Sequence, residues 1–481
     1  LSMRLLALFT LISLVKSFTL QYCPFDIPSN RIYSSYASNN GNLMAYRETQ
    51  GRRPTHLSAC RKVAVIGGGF GGLYFSLALA EIASAIGKDF NVTLIDESER
   101  FTFAPLLYEL AVGDADIDEV CPRFETILRD DNKYECVEYL NGKAEEVDFK
   151  GRAVKVSTGD GKTTTTTTVP YDYLVVASGL LPPPNPKPLP TPPPNSSPLL
   201  SNSVLPFGNL KDATRLKKKI NQLLSLSRDL NVVVVGGGYS GIELSTNLKQ
   251  TLSKGGHSAS VALVHRGGDI LKQSDSEFNK KAALKELESK GVKVATNAEV
   301  EGVAFGEESM TVEISSSLPS PTNSQVGKYE GVDLVVYTVA NSGSFTSKPS
   351  SEVYPDIVEV GDGGVSRIYT DKALRARNLE FGKSYRNIFV IGDAATVEGF
   401  DGKSTAQTAM SMAETAAYNV VADVRGKKAV KFSYLNLGEM LTLGGDKATI
   451  SGFGDRVRIE GGLASVMRRA VYSVRQPTNG Q

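Results

Sequence analysis

Short apolar runs separated by glycine-rich turns recur along the chain, and one series of them is repeated. Residues 63–66 read Val-Ala-Val-Ile, and a glycine-rich turn, an apolar-rich stretch and a second apolar run at residues 92–95 follow. These patterns predict a buried strand, an α-helix and another buried strand. Residues 232–235, four consecutive valines, begin the same series, with a helix predicted over residues 242–253 and a strand over residues 261–264. The chain is therefore predicted to be an α/β protein with two Rossmann-like units.

The first turn carries the glycine spacing of a dinucleotide-binding loop. Gly67, Gly69 and Gly72 have the G-x-G-x-x-G spacing, which permits a tight turn, close approach to a pyrophosphate and close helix–strand packing. Phosphates are expected at the free N–H groups that begin the helix. Asp96 ends the second strand, where its carboxylate can accept hydrogen bonds from both ribose hydroxyls of an adenosine. The alternative is a turn that is merely rich in glycine.

The second turn repeats this spacing but lacks the acid. Gly236, Gly238 and Gly241 have the same spacing as the three glycines of the first turn. The residue 29 positions after Gly236 is His265, whereas the first unit has an acid at the equivalent position. A carboxylate there would repel the 2′-phosphate of NADPH, whereas the adjacent Arg266 supplies a cation. The sequence therefore predicts that this site accepts NADPH at least as well as NADH. An Arg266 that only faces solvent is the alternative.

Two further strand ends carry small or acidic residues. The buried run over residues 173–177 ends in Ser178 and Gly179, whose small side chains let a cofactor lie against the backbone. Another apolar run ends in Gly392 and Asp393. We predict that this turn begins a helix, and that its carboxylate contacts a sugar-chain hydroxyl while the helix N-terminus faces phosphate.

Composition limits the classes of function that remain. A chain of 481 residues is long enough for two or three domains, and its formal net charge of +1 implies no nucleic-acid partner. The four cysteines form no C-x-x-C pair, and only three histidines are present. Neither a metal centre nor a histidine-based catalytic triad is therefore expected.

The first 60 residues have the composition of targeting sequences. A basic start and an apolar run over residues 5–15 predict a signal peptide over residues 1–17, too short to span a membrane. Residues 18–60 are rich in Ser, Asn, Tyr and Arg and poor in acids, as in transit peptides. The combination resembles the bipartite presequence of algae with secondary plastids. It predicts a plastid protein, with the mitochondrion or secretion as alternatives.

The C-terminus has the pattern of an amphipathic helix. Six apolar residues fall on one helical face and three arginines flank it: Leu463, Val466, Met467, Ala470, Val471 and Val474, with Arg468, Arg469 and Arg475. A basic amphipathic helix can lie in a membrane interface. We predict peripheral membrane contact here, with an ordinary packing helix as the alternative.

Together, these motifs resemble the type II NAD(P)H:quinone oxidoreductases, also called alternative NAD(P)H dehydrogenases, and most closely their plastid-targeted plant and cyanobacterial branch. The resemblance covers roughly residues 61–477 and is most specific at residues 105–109, the two glycine turns, the Gly-Asp turn and residues 406–409. It implies FAD in the first site, NADPH or NADH as substrate in the second, and a lipid-soluble quinone as the electron acceptor. A homodimer stays open.

The resemblance also implies an order of domains. Residues 61–205 and 346–425 would form the FAD-binding domain, residues 206–345 the NAD(P)H-binding domain and residues 426–481 a membrane-associating region. Hydride would pass from NAD(P)H to FAD, and two electrons would then pass to the quinone.

Site residues follow position by position. Those expected to hold FAD are Gly67, Gly69, Gly72, Asp96, Ser178, Gly179, Gly392, Asp393 and Ala406. Those expected to hold NAD(P)H are Gly236, Gly238, Gly241 and Arg266. Two catalytic positions are implied: Glu243 near the nicotinamide end, and Gln407 facing the flavin ring beside the quinone.

Two departures from the family pattern leave alternatives open. Ser411 stands where the family motif A-Q-x-A-x-Q has its last glutamine, and Ala340 stands where glycine is usual. Ser411 cannot offer the same amide donor to a quinone carbonyl. The alternatives are a soluble reductase of a small oxidant and a flavin-binding module that has lost turnover.

Overall fold

The computed structural model describes residues 60–478, apart from residue 88 and seven segments: 130–132, 160–163, 181–188, 317–326, 339–357, 361–365 and 379–381. Except for Cys60, the predicted presequence lies outside the described residues, and so does Ala340.

Strands and helices alternate along most of the chain. The strands are β1 (Arg61–Ile66), β2 (Phe90–Asp96), β3 (Val137–Asn141), β4 (Lys143–Asp148), β5 (Ala153–Thr158), β6 (Thr165–Pro170), β7 (Tyr173–Val176), β8 (Val204–Pro206), β9 (Leu230–Val235), β10 (Ala259–Val264), β11 (Lys293–Ala295), β12 (Ala298–Phe305), β13 (Met310–Ser316), β14 (Gly327–Val332), β15 (Leu334–Tyr337), β16 (Val358–Val360), β17 (Ser366–Thr370), β18 (Arg375–Arg377), β19 (Ser384–Val390), β20 (Ala395–Val397), β21 (Glu439–Thr442), β22 (Ala448–Gly452) and β23 (Val457–Gly461). The α-helices are α1 (Phe70–Ile86), α2 (Leu107–Val112), α3 (Ile117–Val120), α4 (Phe124–Leu128), α5 (Leu210–Leu224), α6 (Tyr239–Lys254), α7 (Glu277–Ser289), α8 (Ala406–Val424) and α9 (Gly462–Arg475).

The larger sheet brings together strands from distant parts of the chain. Its order is β16-β17-β18-β19-β7-β1-β2-β3, and β20 pairs with β17. Strands β19, β7, β1, β2 and β3 run parallel. Residues 63–66 of β1 are buried, as expected for a parallel strand that is covered on both faces. The carboxyl ends of these strands therefore meet at one edge, which is where open α/β sheets bind ligands.

A second parallel sheet repeats the arrangement. Its order is β11-β10-β9-β15-β8, and β9 pairs with β10 and β15 as β1 pairs with β2 and β7. Three antiparallel sheets of three strands complete the described structure: β4-β5-β6, β12-β13-β14 and β21-β22-β23. The prediction of an α/β fold with two Rossmann-like units is confirmed.

The Gly392–Asp393 turn differs from its predicted form. It opens a single 3-10 turn, Gly392–Ala394, which leads directly into β20 and not into an α-helix. Pairing of β20 with β17 keeps this segment extended. Helix α8 begins only at Ala406, where the side chain of Thr405 caps it by accepting a hydrogen bond from the Thr408 N–H.

Helix α9 forms as predicted, but its apolar residues do not all face the same surroundings. Leu463, Val466 and Val474 are exposed, whereas Met467 is buried. Arg468, predicted to flank a membrane face, is only 2% exposed. Burial of this cation follows from a partner that lies far away in the sequence. Among the described residues, no helix combines the length and apolarity needed to cross a bilayer.

That partner is Glu109 on α2, which anchors α9 to the body of the protein. One carboxylate oxygen, Oε1, accepts hydrogen bonds from Arg468 Nη2 at 2.8 Å and from the Tyr108 hydroxyl at 2.9 Å. The other, Oε2, accepts from Arg469 Nη2 at 2.9 Å. A buried ion pair of this kind is costly to break, because the remaining charge stays buried without compensation.

Replacing Glu109 by glutamine should therefore lower the free energy of unfolding by about 3–5 kcal/mol, measured as a lower urea midpoint. The double variant Glu109→Gln/Arg468→Met should recover part of this loss, since it removes the stranded cation. Glu99→Gln is the matched control, because its ion pair with Arg123 is half exposed and should contribute about 1 kcal/mol or less. Equal effects at Glu99 and Glu109 would contradict the assignment.

Candidate active site

A cavity of about 1440 Å³ lies where the two parallel sheets and the C-terminal region meet. Both glycine turns border it, and so do the ends of β7 and β19 and the first turn of α8. Most of the predicted site residues are thereby brought together. Those that border the cavity are Gly69, Ser178, Gly179, Gly236, Gly238, Gly241, Glu243, Gly392, Asp393, Ala406 and Gln407.

Close backbone packing accounts for the last glycine of each turn, and access for a ligand accounts for the middle one. A Cβ atom at Gly72 would lie 1.7 Å from the Gly67 carbonyl oxygen, and one at Gly241 would lie 1.8 Å from the Gly236 oxygen. Any side chain at Gly72 or Gly241 would therefore push its helix away from the preceding strand. The middle glycine of each turn, Gly69 or Gly238, has open space where a Cβ would be, so a ligand can approach the backbone there.

Asp96 lies behind the first turn and does not border the cavity. Its Oδ2 accepts a hydrogen bond from the Gly68 N–H at 2.5 Å, and its Oδ1 accepts one from the Ser98 N–H at 2.7 Å. Burial raises the pKa of Asp96 to about 7, although both hydrogen bonds act in the opposite direction. The Asp96 carboxylate therefore fixes the conformation of the turn through the Gly68 N–H, in addition to marking the end of β2.

His265 holds the second turn as Asp96 holds the first. The Gly237 N–H donates to His265 Nδ1 at 3.2 Å. Because Nδ1 accepts a hydrogen bond, the neutral imidazole carries its proton on Nε2. The second polar atom of His265 is therefore a donor, whereas the second carboxylate oxygen of Asp96 is an acceptor. Arg266 is exposed and does not border the cavity. Lys272, which the sequence interpretation overlooked, does border it.

The ends of β7 and β19 supply polar groups to the wall on the side of the first turn. Ser178 is 5% exposed, and its Oγ has no hydrogen-bond partner among the described residues. Burial raises the pKa of the Asp393 carboxyl, while Ser404 and Arg367 lower it. An orphaned hydroxyl and the open backbone at Gly69 are what a bound flavin nucleotide would need, so the residues present fit FAD.

The beginning of α8 supplies the wall beside the C-terminal region. Gln407 Oε1 accepts a hydrogen bond from the Tyr434 hydroxyl at 3.2 Å, which orients the side chain. Ser411 does not border the cavity, whereas Met410 does. The replacement of the family glutamine by Ser411 therefore matters less for contact with a ligand than the sequence suggested.

Glu243 on α6 is a buried acid at the cavity wall. Its side chain is buried, and its Oε1 accepts a hydrogen bond from the Thr442 N–H at 3.2 Å. Burial raises the pKa of Glu243 to about 8, against the nearby positive charge of Arg468, which lowers it. A carboxyl group that is neutral near pH 7 in a cavity wall is a common feature of catalytic sites.

The C-terminal helix closes the cavity, which the sequence interpretation missed. Met467, Val471 and Tyr472 of α9 face into it, and Ile450 and Ile459 of the β22–β23 hairpin lie alongside. Two of the six apolar residues in the helical pattern, Met467 and Val471, therefore belong to the face that borders the cavity.

The three cysteines that the structure describes lie away from this cavity. Cys60, Cys121 and Cys136 do not border it, and burial raises the pKa of the Cys121 thiol to about 11. Across the described part of the chain, no cluster of three or more potential metal-ligating side chains occurs.

Comparison with known proteins places this site in a family. Residues 61–413 match the family model of the pyridine nucleotide-disulphide oxidoreductases. The demethylphylloquinone reductase of Synechocystis is 30% identical over 87% of this chain and 92% of its own length. An alternative NAD(P)H-ubiquinone oxidoreductase of Arabidopsis thaliana, described as chloroplastic/mitochondrial, is 28% identical over 87% of this chain and 78% of its own.

Solved structures share the fold. NDH2 from Plasmodium falciparum, in complex with NADH, superimposes with a TM-score of 0.66 at 18% identity, covering 86% of this chain and 94% of that one. The sulfide:quinone oxidoreductase of Aquifex aeolicus gives 0.64 at 17% identity, over 88% and 92% of the two chains. On the family match and the identity to its relatives, this chain belongs to the pyridine nucleotide-disulphide oxidoreductases and, within them, to the type II NAD(P)H:quinone oxidoreductases.

Proposed function

We propose that the chain is an FAD-dependent oxidoreductase that oxidises NADPH or NADH and reduces a lipid-soluble quinone. The observation that carries the proposal is one continuous cavity bordered by both glycine turns and by the apolar inner face of α9. Two dinucleotides can meet there, and an apolar acceptor can approach the same place. Relatives named as a demethylphylloquinone reductase and an NAD(P)H-ubiquinone oxidoreductase support a quinone as that acceptor.

The first turn and its neighbours would hold FAD. Its pyrophosphate fits the open backbone at Gly69 and the N-terminus of α1, while the Ser178 hydroxyl and Asp393 are placed to bond its polar groups. When bound, FAD supplies the capacity to accept a hydride and release two electrons. The protein's own part is to orient both partners and exclude water.

The second turn would hold the nicotinamide nucleotide. Gly238 leaves its backbone open to a pyrophosphate, and Glu243 borders the cavity one turn further along α6. We assign Glu243 to the nicotinamide end and Gln407, held by Tyr434, to the flavin and quinone side. NADPH is included among the substrates because His265 removes the carboxylate that would repel its 2′-phosphate.

Two matched glycine variants test whether the first turn binds FAD and the second turn binds the nicotinamide nucleotide. Gly72→Ala should purify without FAD, since its Cβ would meet the Gly67 oxygen at 1.7 Å. Gly241→Ala should keep FAD but lose its reduction by NADPH and NADH, because its Cβ would meet the Gly236 oxygen at 1.8 Å. Anaerobic flavin absorbance measures both outcomes.

Chemical reduction separates the two half-reactions in the same experiment. Wild-type protein bleached by NADPH should recover its absorbance when a naphthoquinone or plastoquinone analogue is added. Gly241→Ala, reduced with dithionite, should recover equally well. If the wild-type flavin bleaches but does not recover, a quinone is not the acceptor and a small soluble oxidant is favoured. If the wild-type flavin does not bleach, a flavin-binding module without turnover is favoured.

The buried Glu243 makes stability depend on pH. Its folded-state pKa of about 8 lies above its ordinary value of 4.5. The folded chain therefore keeps a proton that the unfolded chain releases, so the stability contributed by this group falls as the pH rises from 4.5 towards 8. Glu243→Gln should flatten the decline in melting temperature between pH 6 and pH 9. Glu307→Gln, at an exposed position, should leave it unchanged; an unchanged decline in Glu243→Gln would refute a buried, proton-holding Glu243.

We also propose that α9 contacts a membrane from its outer face. Leu463, Val466 and Val474 are 48%, 64% and 41% exposed and recur at helical spacing. Phe453 and Val457 are likewise exposed, and both border the cavity, so its opening has an apolar rim. An exposed apolar surface beside an apolar entrance suits a peripheral enzyme whose acceptor dissolves in lipid.

The triple variant in which Leu463, Val466 and Val474 are replaced by serine should co-sediment with liposomes several-fold less than the wild type. NADPH-dependent bleaching of its flavin should be unchanged. Point substitutions are better than removal of α9, because its inner residues close the cavity. Serine at Leu284 and Val294, two exposed apolar residues elsewhere, is the control. Equal sedimentation of both variants would count against the membrane proposal.

Plastid localisation is the third part of the proposal. It is supported by the acid-poor segment over residues 18–60 and by relatives from a cyanobacterium and from a plant, the latter described as chloroplastic/mitochondrial. The mitochondrion is the alternative. Fusion of residues 1–60 to a fluorescent protein, imaged in an alga with secondary plastids, distinguishes the two.

A further inference from the structure

The segment that joins α8 to β21, residues 427–438, forms neither helix nor strand, yet it is bonded to the body of the protein at alternate residues. The side chain of Asn419 in α8 bonds the N–H and the carbonyl group of Val430, at 2.8 and 3.0 Å. Further along, the Phe432 N–H donates to the Lys372 carbonyl oxygen at 2.6 Å. The segment is therefore held in place before it passes the first turn of α8.

Aromatic packing then fixes the position of Tyr434. Its ring lies edge-on to that of Phe400, with ring centroids 6.1 Å apart and planes inclined at 75°. Phe400 in turn packs edge-on against Phe432, with centroids 5.1 Å apart. Edge-to-face contacts of this kind are the favourable arrangement of aromatic rings. The Tyr434 hydroxyl is thus positioned by its ring, independently of the hydrogen bond that it makes.

The amide of Gln407 is bonded at both ends by this segment. Its Oε1 accepts from the Tyr434 hydroxyl at 3.2 Å, and its Nε2 donates to the Leu435 carbonyl oxygen at 3.5 Å. A carbonyl oxygen only accepts hydrogen bonds, whereas a tyrosine hydroxyl can also donate. Turning the amide over would place Oε1 against the Leu435 oxygen, so only one orientation satisfies both partners.

This orientation decides what Gln407 offers to a ligand. An amide nitrogen carries two N–H groups, and Leu435 accepts one of them. Since Gln407 borders the cavity, the other N–H is left for a ligand there, while the amide oxygen is turned towards Tyr434. Towards the cavity, Gln407 is therefore a hydrogen-bond donor.

A quinone and its reduction product differ in what they ask of such a donor. The two oxygens of a quinone are carbonyl oxygens, which only accept. Addition of two electrons and two protons converts both into hydroxyl groups, and each hydroxyl proton then needs an acceptor of its own. A side chain that presents only an N–H group suits the quinone better than the hydroquinone.

We propose that Tyr434, acting through Gln407, makes the acceptor site prefer the quinone to the hydroquinone, so that substrate binds and product leaves. Tyr434 does not border the cavity and is a positioning residue. This inference rests on the proposed reduction of a quinone. Selectivity of this kind is a difference between two affinities, and one side chain of fixed orientation changes them in opposite directions.

The test is Tyr434→Phe in full-length protein with FAD bound, because this variant loses the hydroxyl and keeps the ring packed on Phe400. Gln407 is then free to turn its oxygen towards the cavity. In anaerobic steady-state assays with NADPH, the KM for menadione should rise about threefold. The inhibition constant of its hydroquinone, menadiol, should fall about threefold, as expected for one neutral hydrogen bond. Bleaching of the flavin by NADPH should be unchanged.

Two further variants separate this role from a merely structural one. Tyr134→Phe is the matched control, because its hydroxyl bonds Glu81 at 3.4 Å away from the cavity, and both constants should stay the same. Gln407→Leu should itself raise the KM for menadione, and adding Tyr434→Phe should have no further effect, because the hydroxyl acts only through the amide.

An unchanged ratio of the two constants in Tyr434→Phe would overturn the inference, and so would an undiminished effect of Tyr434→Phe in the Gln407→Leu background. If the wild type still passes electrons from NADPH to menadione in that case, the proposed function stands without the inference. If the wild type does not, both fail.

Discussion

The carboxylate of Glu109, buried between two arginines and a tyrosine, joins the C-terminal helix to the first half of the chain. This contact compensates the charge of the buried Arg468, whose guanidinium also lies over the rings of Tyr108 and Tyr472. Once Arg468 is held, Met467, Val471 and Tyr472 must face the cavity, and Leu463 and Val466 must face outward. Glu109 is therefore one of the contacts that hold α9 over the cavity, together with the hydrogen bond from the Gln476 side chain to the Glu119 carbonyl oxygen.

A second attachment holds the same region to the nucleotide half. Glu439 on β21 accepts hydrogen bonds from the Tyr239 hydroxyl at 2.5 Å and from the Asp275 N–H at 3.0 Å. Tyr239 begins α6, directly after the second glycine turn, and both it and Glu439 border the cavity. The C-terminal region therefore touches both nucleotide-binding units, which explains how one cavity can serve an apolar acceptor and two dinucleotides.

The two glycine turns share a geometry and differ in charge. In each, the residue at the end of the second strand accepts a hydrogen bond from the N–H of the second turn residue: Asp96 from Gly68, His265 from Gly237. The structural requirement is for an acceptor, and both side chains meet it. The requirement for the ligand is different, because an acid repels an additional phosphate and an imidazole does not. One position can therefore keep its role in the fold while its role in recognition changes.

Local features could be predicted from the sequence, because the residues that cause them lie close together in the chain. Apolar runs predicted the parallel strands, and the glycine spacing predicted both turns, since helix–strand contact at Gly72 and Gly241 depends only on their own segments. The residues at two strand ends predicted Ser178 and Asp393, and the family resemblance added Glu243 and Gln407. The fold gathers all four around one cavity. The assignment of individual roles to these residues stays a prediction.

What only the tertiary structure decided are the features whose causes lie far apart in the chain. Arg468 is buried because Glu109, 359 positions away, reaches it. Asp393 precedes a strand and not a helix because β20 finds a partner in β17. Lys272 reaches the cavity through a left-handed Leu271 that bonds to Gly237, and no local pattern marks that conformation. Periodicity and spacing report what a segment can form by itself, whereas burial of a charge and the direction of a loop are settled by the surfaces against which they pack.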